Sequence, residues 1–208
     1  QLKDKFTLID TGYYILLGLS CGLISIYFSK VYFAIGRFFG KFKKPIHSLL
    51  IGGLGLGVLL YFIPPLYGEG FQTINKLLNG NVDGVFNQNI FQVVTENQWV
   101  IILFLIGLVA FKVVATAITF GAGGVGGVFA PSLFTGSVAG FVFALFFNTL
   151  GISEHQLSLS NFSLVGMAGL MAGVLHAPLT AIFLIAEITS GHELFIPLMI
   201  TAAISFLI

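Results

Sequence analysis

The sequence predicts an all-α, polytopic membrane protein built from broken and half-length tilted helices. Of its 208 residues, 57% are hydrophobic and 8% are charged, and the mean hydropathy is +1.02, whereas about a quarter of the residues of soluble domains are charged. Several apolar segments can cross the roughly 30 Å hydrocarbon layer, and glycine or proline interrupts others before they reach that length. Lipid is therefore the expected partner, and a net charge of +1 does not predict nucleic-acid binding.

The first two spans flank a basic segment. Residues 11–29 carry no charge, and Asp10 or Thr11 is placed to cap a helix that starts there. Residues 30–44 hold five basic and no acidic side chains, so the positive-inside rule predicts that this segment faces the cytoplasm. A lipid-headgroup anchor would imply the same side.

A glycine-rich second span is predicted from Pro45 to Phe62, because proline suits the first turn of a helix. Its small residues predict close helix packing rather than lipid contact. They are Gly52, Gly53, Gly55 and Gly57.

The middle of the chain holds a turn at Tyr67–Gly70, a short amphipathic helix over 71–79 and a polar loop over 80–96. A third span follows from Asn97 to Phe120, with Lys112 well inside it. A lysine at that depth is costly and marks a functional candidate. The equally weighted alternative is that its long stem reaches the near membrane surface.

A glycine break follows the third span. Five of the seven residues 121–127 are glycine, and no charged residue occurs between Val113 and Ser153, so a helix is interrupted at membrane depth. Irregular backbone is tolerated there only inside protein or beside a wet cavity. Pro131 then indicates a helix that begins at Val128 or its neighbours. The N-terminus of such a helix presents unbonded N–H groups and a partial positive charge, which predicts an anion site without a charged side chain.

The remaining segments are predicted to be broken helices. A segment over 128–150 carries Gly136 and Gly140 at helix-packing spacing. After an aqueous loop over 151–160, a helix is predicted over 161–175 with three glycines along one side, then a break at His176–Pro178 and short helices over 179–189 and 193–208. Helices interrupted in this way are typical of transporters that bind substrate near the bilayer midplane.

Several motifs resemble those of the chloride channel and transporter (CLC) family, in the second half of its transmembrane domain. Gly127-Val-Phe-Ala-Pro131 is similar to the family's GxFxP motif. The likeness extends along essentially the whole chain. The supporting motifs are the Gly-rich lead-in from Gly121, the Tyr67–Gly70 turn, the run Gly166–Gly173, His176–Thr180 and Ala186–Thr189.

The resemblance implies one half of an inverted repeat, a homodimer and a separate anion pathway in each subunit. By motif position, the backbone N–H groups of Val128 and Phe129 would bind chloride, and Lys112 would add positive potential. The supporting loop would consist of Gly126, Gly127, Ala130 and Pro131. The last two helices, with Pro178, Thr180 and Glu187, would lie toward the dimer interface.

The resemblance also implies missing parts. Both ends of the chain look cut, the single domain 1–208 lacks the final helix, and the family's first half is absent, so we expect these residues alone to conduct nothing. The location implied is the inner membrane of a bacterium. The sequence does not choose between a passive channel and a proton-coupled antiporter.

Three alternatives to an anion transporter differ in the residues that they require. An enzyme is disfavoured, because His176, Glu187, His192 and Glu193 have no metal-ligand spacing such as HExxH and no nucleophile elbow accompanies them. No catalytic residue, metal or cofactor is therefore predicted, and chloride is the only ligand. A permease for cations or another small solute would need inward carboxylates or carbonyl rings. A non-conducting scaffold of the same fold stays open.

Overall fold

All regular structure in the described residues is helical. The computed structural model describes residues 10–78, 97–152, 155–189 and 194–208. Its helices are α1 (Thr11–Phe39), α2 (Pro45–Phe62), α3 (Phe71–Leu78), α4 (Gln98–Gly121), α5 (Phe129–Leu150), α6 (Leu159–Leu175), α7 (Pro178–Thr189) and α8 (Phe195–Leu207), with a 3₁₀ turn at Pro64–Leu66. Four of them, α1, α2, α4 and α5, are long and apolar enough to cross a membrane.

Local sequence signals explain several helix ends. Pro45 and Pro178 are the first residues of α2 and α7, positions that need no N–H donor. The Asn97 side chain caps α4 by accepting from the Trp99 N–H at 3.0 Å. Gly151 ends α5 in the left-handed conformation with φ of 64°, which glycine adopts without a steric penalty. The predicted boundaries are therefore correct to within a few residues.

Helix α6 forms the centre of the bundle. Every residue from Asn161 to Gly173 is buried. On one side α6 crosses α5 at close range, because a methyl group on Gly136 would overlap the Gly166 carbonyl and one on Gly140 would overlap the Phe162 carbonyl. The predicted role of Gly136 and Gly140 in helix packing is confirmed.

Helix α6 also packs against α1 and α8. A methyl group on Gly169 would lie 3.0 Å from the Cys21 Sγ, and one on Gly173 would lie 2.7 Å from the Ser205 Oγ. As predicted, the three glycines lie along one side of α6, since residues three or seven positions apart fall on the same side of a helix. Gly166 contacts α5, whereas Gly169 and Gly173 contact α1 and α8, so this part of the helix is enclosed by protein.

The start of α1 differs from the predicted cap. Asp10 is the N-cap residue but its carboxylate makes no capping hydrogen bond. Its Oδ1 instead lies 2.7 Å from the Nε2 of His155, in the segment before α6. Helix α1 also continues to Phe39, ten residues beyond the uncharged stretch, because no helix breaker occurs there.

The glycines of α2 correct a second expectation. Only Gly52 meets another helix closely, since a methyl group there would overlap Ala122, whereas Gly53, Gly55 and Gly57 have no described atom within 4 Å. Most of the helix is exposed. A high glycine content thus did not lead to close packing around this helix within the described residues. The predicted polar loop over 80–96, together with His192 and Glu193, lies outside the described residues.

Candidate anion site

The predicted glycine break is an ordered turn between α4 and α5. The Gly123 N–H donates to the Phe120 carbonyl at 3.0 Å and the Gly124 N–H to the Thr119 carbonyl at 2.8 Å, so two of the last carbonyls of α4 are satisfied. Gly123 has a φ of 97°, in the region that favours glycine. Val125 at the tip of the turn is fully exposed. The glycines therefore let the chain reverse and start a new helix within a few residues.

The first N–H groups of α5 are free of internal acceptors. Ser132 is the first residue of α5 whose N–H bonds back along the helix, to the Val128 carbonyl at 2.9 Å. Among the described residues, the N–H groups of Val128, Phe129 and Ala130 donate to no acceptor, and Pro131 has no N–H. Three donors and the positive end of the helix dipole are thus left at the break.

A cavity of 490 Å³ opens in front of this helix end. Its walls come from α2, α4, the segment around the 3₁₀ turn, and the break itself. The lining residues are Leu56, Leu60, Leu66, Tyr67, Gly68, Glu69, Lys112, Ala115, Thr116, Thr119, Phe120, Gly126, Gly127, Phe129, Ala130 and Pro131. The volume falls within the range of about 300–1,000 Å³ that small-ligand pockets occupy.

The threonine hydroxyls of the wall do not offer protons to the cavity in this structure. Thr116 donates to the Lys112 carbonyl and Thr119 to the Ala115 carbonyl, both at 2.8 Å. Each hydroxyl has one proton, so these donors are already used within α4. The backbone N–H groups of Phe129 and Ala130, by contrast, are unpaired donors in the cavity lining within the described residues.

Lys112 is buried and holds the opposite wall in place. Its side chain is 2% exposed, its Nζ donates to the carbonyls of Leu66 and Gly68 at 3.0 and 2.7 Å, and the Nζ lies 4.6 Å from the centre of the Phe134 ring. The ammonium group is therefore held inside the protein. The ammonium group thus fixes the segment 66–70 against α4 and α5, and it lines the cavity at the same time.

The segment held by Lys112 has a more constrained backbone than the simple turn predicted from the sequence. Gly68 and Gly70 have φ of 63° and 82°, and a methyl group on Gly70 would overlap the Phe134 ring. Glu69, between them, is exposed and is the one carboxylate in the cavity lining. The two closely spaced glycines were the signal in the sequence that a tight, special backbone forms here.

Most of the predicted site residues come together at the cavity. Phe129, the loop residues Gly126, Gly127, Ala130 and Pro131, and Lys112 all line it. Val128 is half-buried and lies between two lining residues without lining the cavity itself. In the described part of the chain, no three His, Cys, Asp or Glu residues lie together as metal ligands would.

The dimer-interface candidates lie apart from the cavity, on α7. Thr180 and Glu187 are exposed and Pro178 is half-buried. They neighbour the exposed apolar side chains Leu179 and Phe183, which are 69% and 59% exposed. Helix α7 thus presents an outer face that nothing in the described residues covers.

The fold and the cavity define an integral membrane protein of tilted, interrupted helices with a ligand-sized space at a helix break. The chain belongs to the voltage-gated chloride channel (CLC) family, whose sequence profile matches residues 2–208. The motifs quoted above and the helical architecture agree with this membership.

Similar proteins are exchangers and channel proteins by name. The chain is 28% identical over 205 residues to the H⁺/Cl⁻ exchange transporter ClcA of Vibrio cholerae, covering 96% of this chain and 40% of that protein. It is 31% identical to the chloride channel protein CLC-e of Arabidopsis thaliana, covering 89% and 26%. The crystal structure of a slow cyanobacterial Cl⁻/H⁺ antiporter superposes with a TM-score of 0.74 at 25% identity, covering 99% and 44%. The chain therefore spans less than half the length of these relatives.

Proposed function

We propose that this chain forms one side of a chloride pathway across a membrane, with the anion held by backbone N–H groups at the start of α5. The observation that carries the proposal is the set of free donors at Val128, Phe129 and Ala130 beside a ligand-sized cavity. N–H groups and a helix N-terminus favour an anion over a cation. The names of the relatives make chloride the first candidate.

Charge in the cavity lining supports an anion site that depends on the backbone. Lys112 and Glu69 contribute one positive and one negative group, so the side chains largely offset each other. Lys112 also has two of its three protons bonded to carbonyls. Lys112 therefore adds positive electrostatic potential to the cavity, whereas the N–H groups of the break bind the anion directly.

Assembly and orientation form part of the same proposal. The exposed apolar face of α7 around Leu179 and Phe183, with Thr180 and Glu187, supports a homodimer contact. The basic segment 30–44 supports an orientation with that segment in the cytoplasm, in the inner membrane of a bacterium. Because the relatives are more than twice as long, we expect the 208 residues alone to carry no chloride flux in liposomes.

The experiment replaces one proposed donor in the intact protein. Val128 has a φ of −80°, which proline tolerates, so Val128→Pro removes an N–H without breaking an internal hydrogen bond. Val128→Ala is the matched control, since it shortens the side chain and keeps the N–H. Hydrogen bonds to charged groups contribute about 1.5–3 kcal/mol, so chloride affinity measured by calorimetry should fall at least tenfold in Val128→Pro alone.

Two outcomes would contradict the assignment. Equal chloride affinity in Val128→Pro and Val128→Ala, with both proteins folded by circular dichroism, would show that this N–H is not a ligand. Absence of halide binding in the unsubstituted protein would favour the non-conducting scaffold, and binding of another small solute at the cavity would favour a different permease.

A further inference from the structure

The turn between α1 and α2 carries a dense basic surface. The side chains of Arg37, Lys41, Lys43 and Lys44 are all exposed, and none of them has an ion-pair partner in the described residues. No acidic residue occurs in the sequence between Asp10 and Glu69. We call these four residues the basic turn.

Packing of two phenylalanine rings holds the backbone of the basic turn in place. Phe39 is 6% exposed and its ring packs against Gly121 of α4 and Gly52 of α2. The Phe42 ring lies 6.2 Å from that of Phe39, and the Phe42 N–H donates to the Phe39 carbonyl at 3.1 Å. The four cations are therefore displayed on an ordered turn, which lowers the entropic cost of binding a partner.

Exposed apolar side chains flank the cations. Phe38 is 50% exposed and Ile46 is 52% exposed, and they lie at the adjoining ends of two helices that are apolar enough to span a bilayer. Long basic side chains at such a position extend their charges to the headgroup level while their stems stay in apolar surroundings. This combination fits a surface that contacts both the headgroups and the upper acyl chains of a lipid leaflet.

We propose that the basic turn binds anionic phospholipids, with the headgroup phosphates on Lys41, Lys43 and Lys44 and the acyl chains against Phe38. Charge complementarity selects the partner, because clustered Lys and Arg next to a membrane helix are attracted to anionic lipid. The role goes beyond anion transport and beyond membrane orientation. A cluster that serves only to orient the chain during insertion would give the folded protein no preference among lipids.

The test measures lipid preference in the folded, intact protein. Detergent-solubilised protein is titrated with dioleoylphosphatidylglycerol, with neutral dioleoylphosphatidylcholine and with soluble glycerol phosphate, and the melting temperature is followed. We expect stabilisation by phosphatidylglycerol at concentrations where the other two have little effect. We also expect the preference to weaken as ionic strength is raised with sodium gluconate at constant chloride, since exposed charges are screened.

Paired variants isolate the charge. Lys43→Gln/Lys44→Gln removes two exposed cations, and Lys43→Arg/Lys44→Arg keeps both. At about fivefold per charge near an anionic surface, apparent affinity for phosphatidylglycerol should fall about 25-fold in the glutamine pair. The arginine pair should retain it.

Each contrary result overturns the proposal. Equal stabilisation by the two lipids would leave the basic turn with an orienting role only. Equal stabilisation by glycerol phosphate would indicate a site for soluble phosphate. An affinity that is insensitive to salt, or lost equally in both paired variants, would show that the charges do not bind the lipid. The salt series on the unsubstituted protein decides the question even where a variant fails to fold.

Discussion

Gly140→Ala is expected to destabilise the bundle at the α5–α6 crossing. The added methyl group would overlap the Phe162 carbonyl oxygen and lie 3.1 Å from the Ser163 Cα. Because these are backbone atoms, the two helices must separate, and overpacking of this kind costs about 1–3 kcal/mol. The higher helix propensity of alanine offsets about 1 kcal/mol of this cost.

Separation of the helices also strains a buried serine pair. The Ser137 and Ser163 Oγ atoms lie 2.7 Å apart, and the Ser163 hydroxyl donates to the Ser137 carbonyl at 2.8 Å. Interhelical hydrogen bonds in membranes average about 0.6 kcal/mol each. The sum of these effects predicts a loss of about 2 kcal/mol in the free energy of unfolding.

Gly107→Ala is the matched control for this measurement. Gly107 is also inside a membrane helix, but no described atom lies within 4 Å of the added methyl group. The Gly107→Ala variant should gain up to about 1 kcal/mol in its free energy of unfolding. Unfolding by sodium dodecyl sulfate in mixed micelles can be followed through Trp99, the single tryptophan, whose ring lies 6.0 Å from that of Phe146 on α5. If both variants were equally stable, the close crossing inferred for Gly140 would be refuted.

Two further predictions concern the cavity wall. Lys112→Met should release the segment 66–70 and speed its amide hydrogen exchange by about tenfold or more, since two charge-assisted hydrogen bonds are lost. Lys112→Arg should retain the protection from exchange. Slow exchange in both variants would contradict the inference that Lys112 holds this segment in place. Glu69→Gln should raise chloride affinity about two- to fivefold by calorimetry, because it removes the carboxylate from the lining but the group is exposed and screened. Unchanged or weaker binding would count against an anion in this cavity.

Much of the architecture could be predicted because its signals are local. Pro45, Pro131 and Pro178 mark helix starts through their fixed φ and missing N–H, and the glycine cluster after Phe120 marks the break. Five cavity-lining residues belong to this break and to the helix start after it: Gly126, Gly127, Phe129, Ala130 and Pro131.

The remaining features depend on contacts between distant parts of the chain. Asp10 was expected to cap its own helix but bonds to His155, 145 residues away. Lys112 was predicted inside a long helix and is buried within α4, but its carbonyl partners lie 44 and 46 residues earlier. The glycine content of α2 led to a wrong prediction of close packing along the helix, because only Gly52 lies close to another helix. Partners that are remote in sequence leave no local pattern to read.

The enclosure of α6 determines which parts of the molecule can move. Tilting or sliding α6 would drive backbone into backbone at Gly136 and Gly166, and would displace α1 and α8 at Gly169 and Gly173. These helices should therefore behave as one rigid unit, since close-packed interfaces deform little. Under the proposed function, conformational changes are expected at its margins instead, in the exposed α2 and in the segment 66–70.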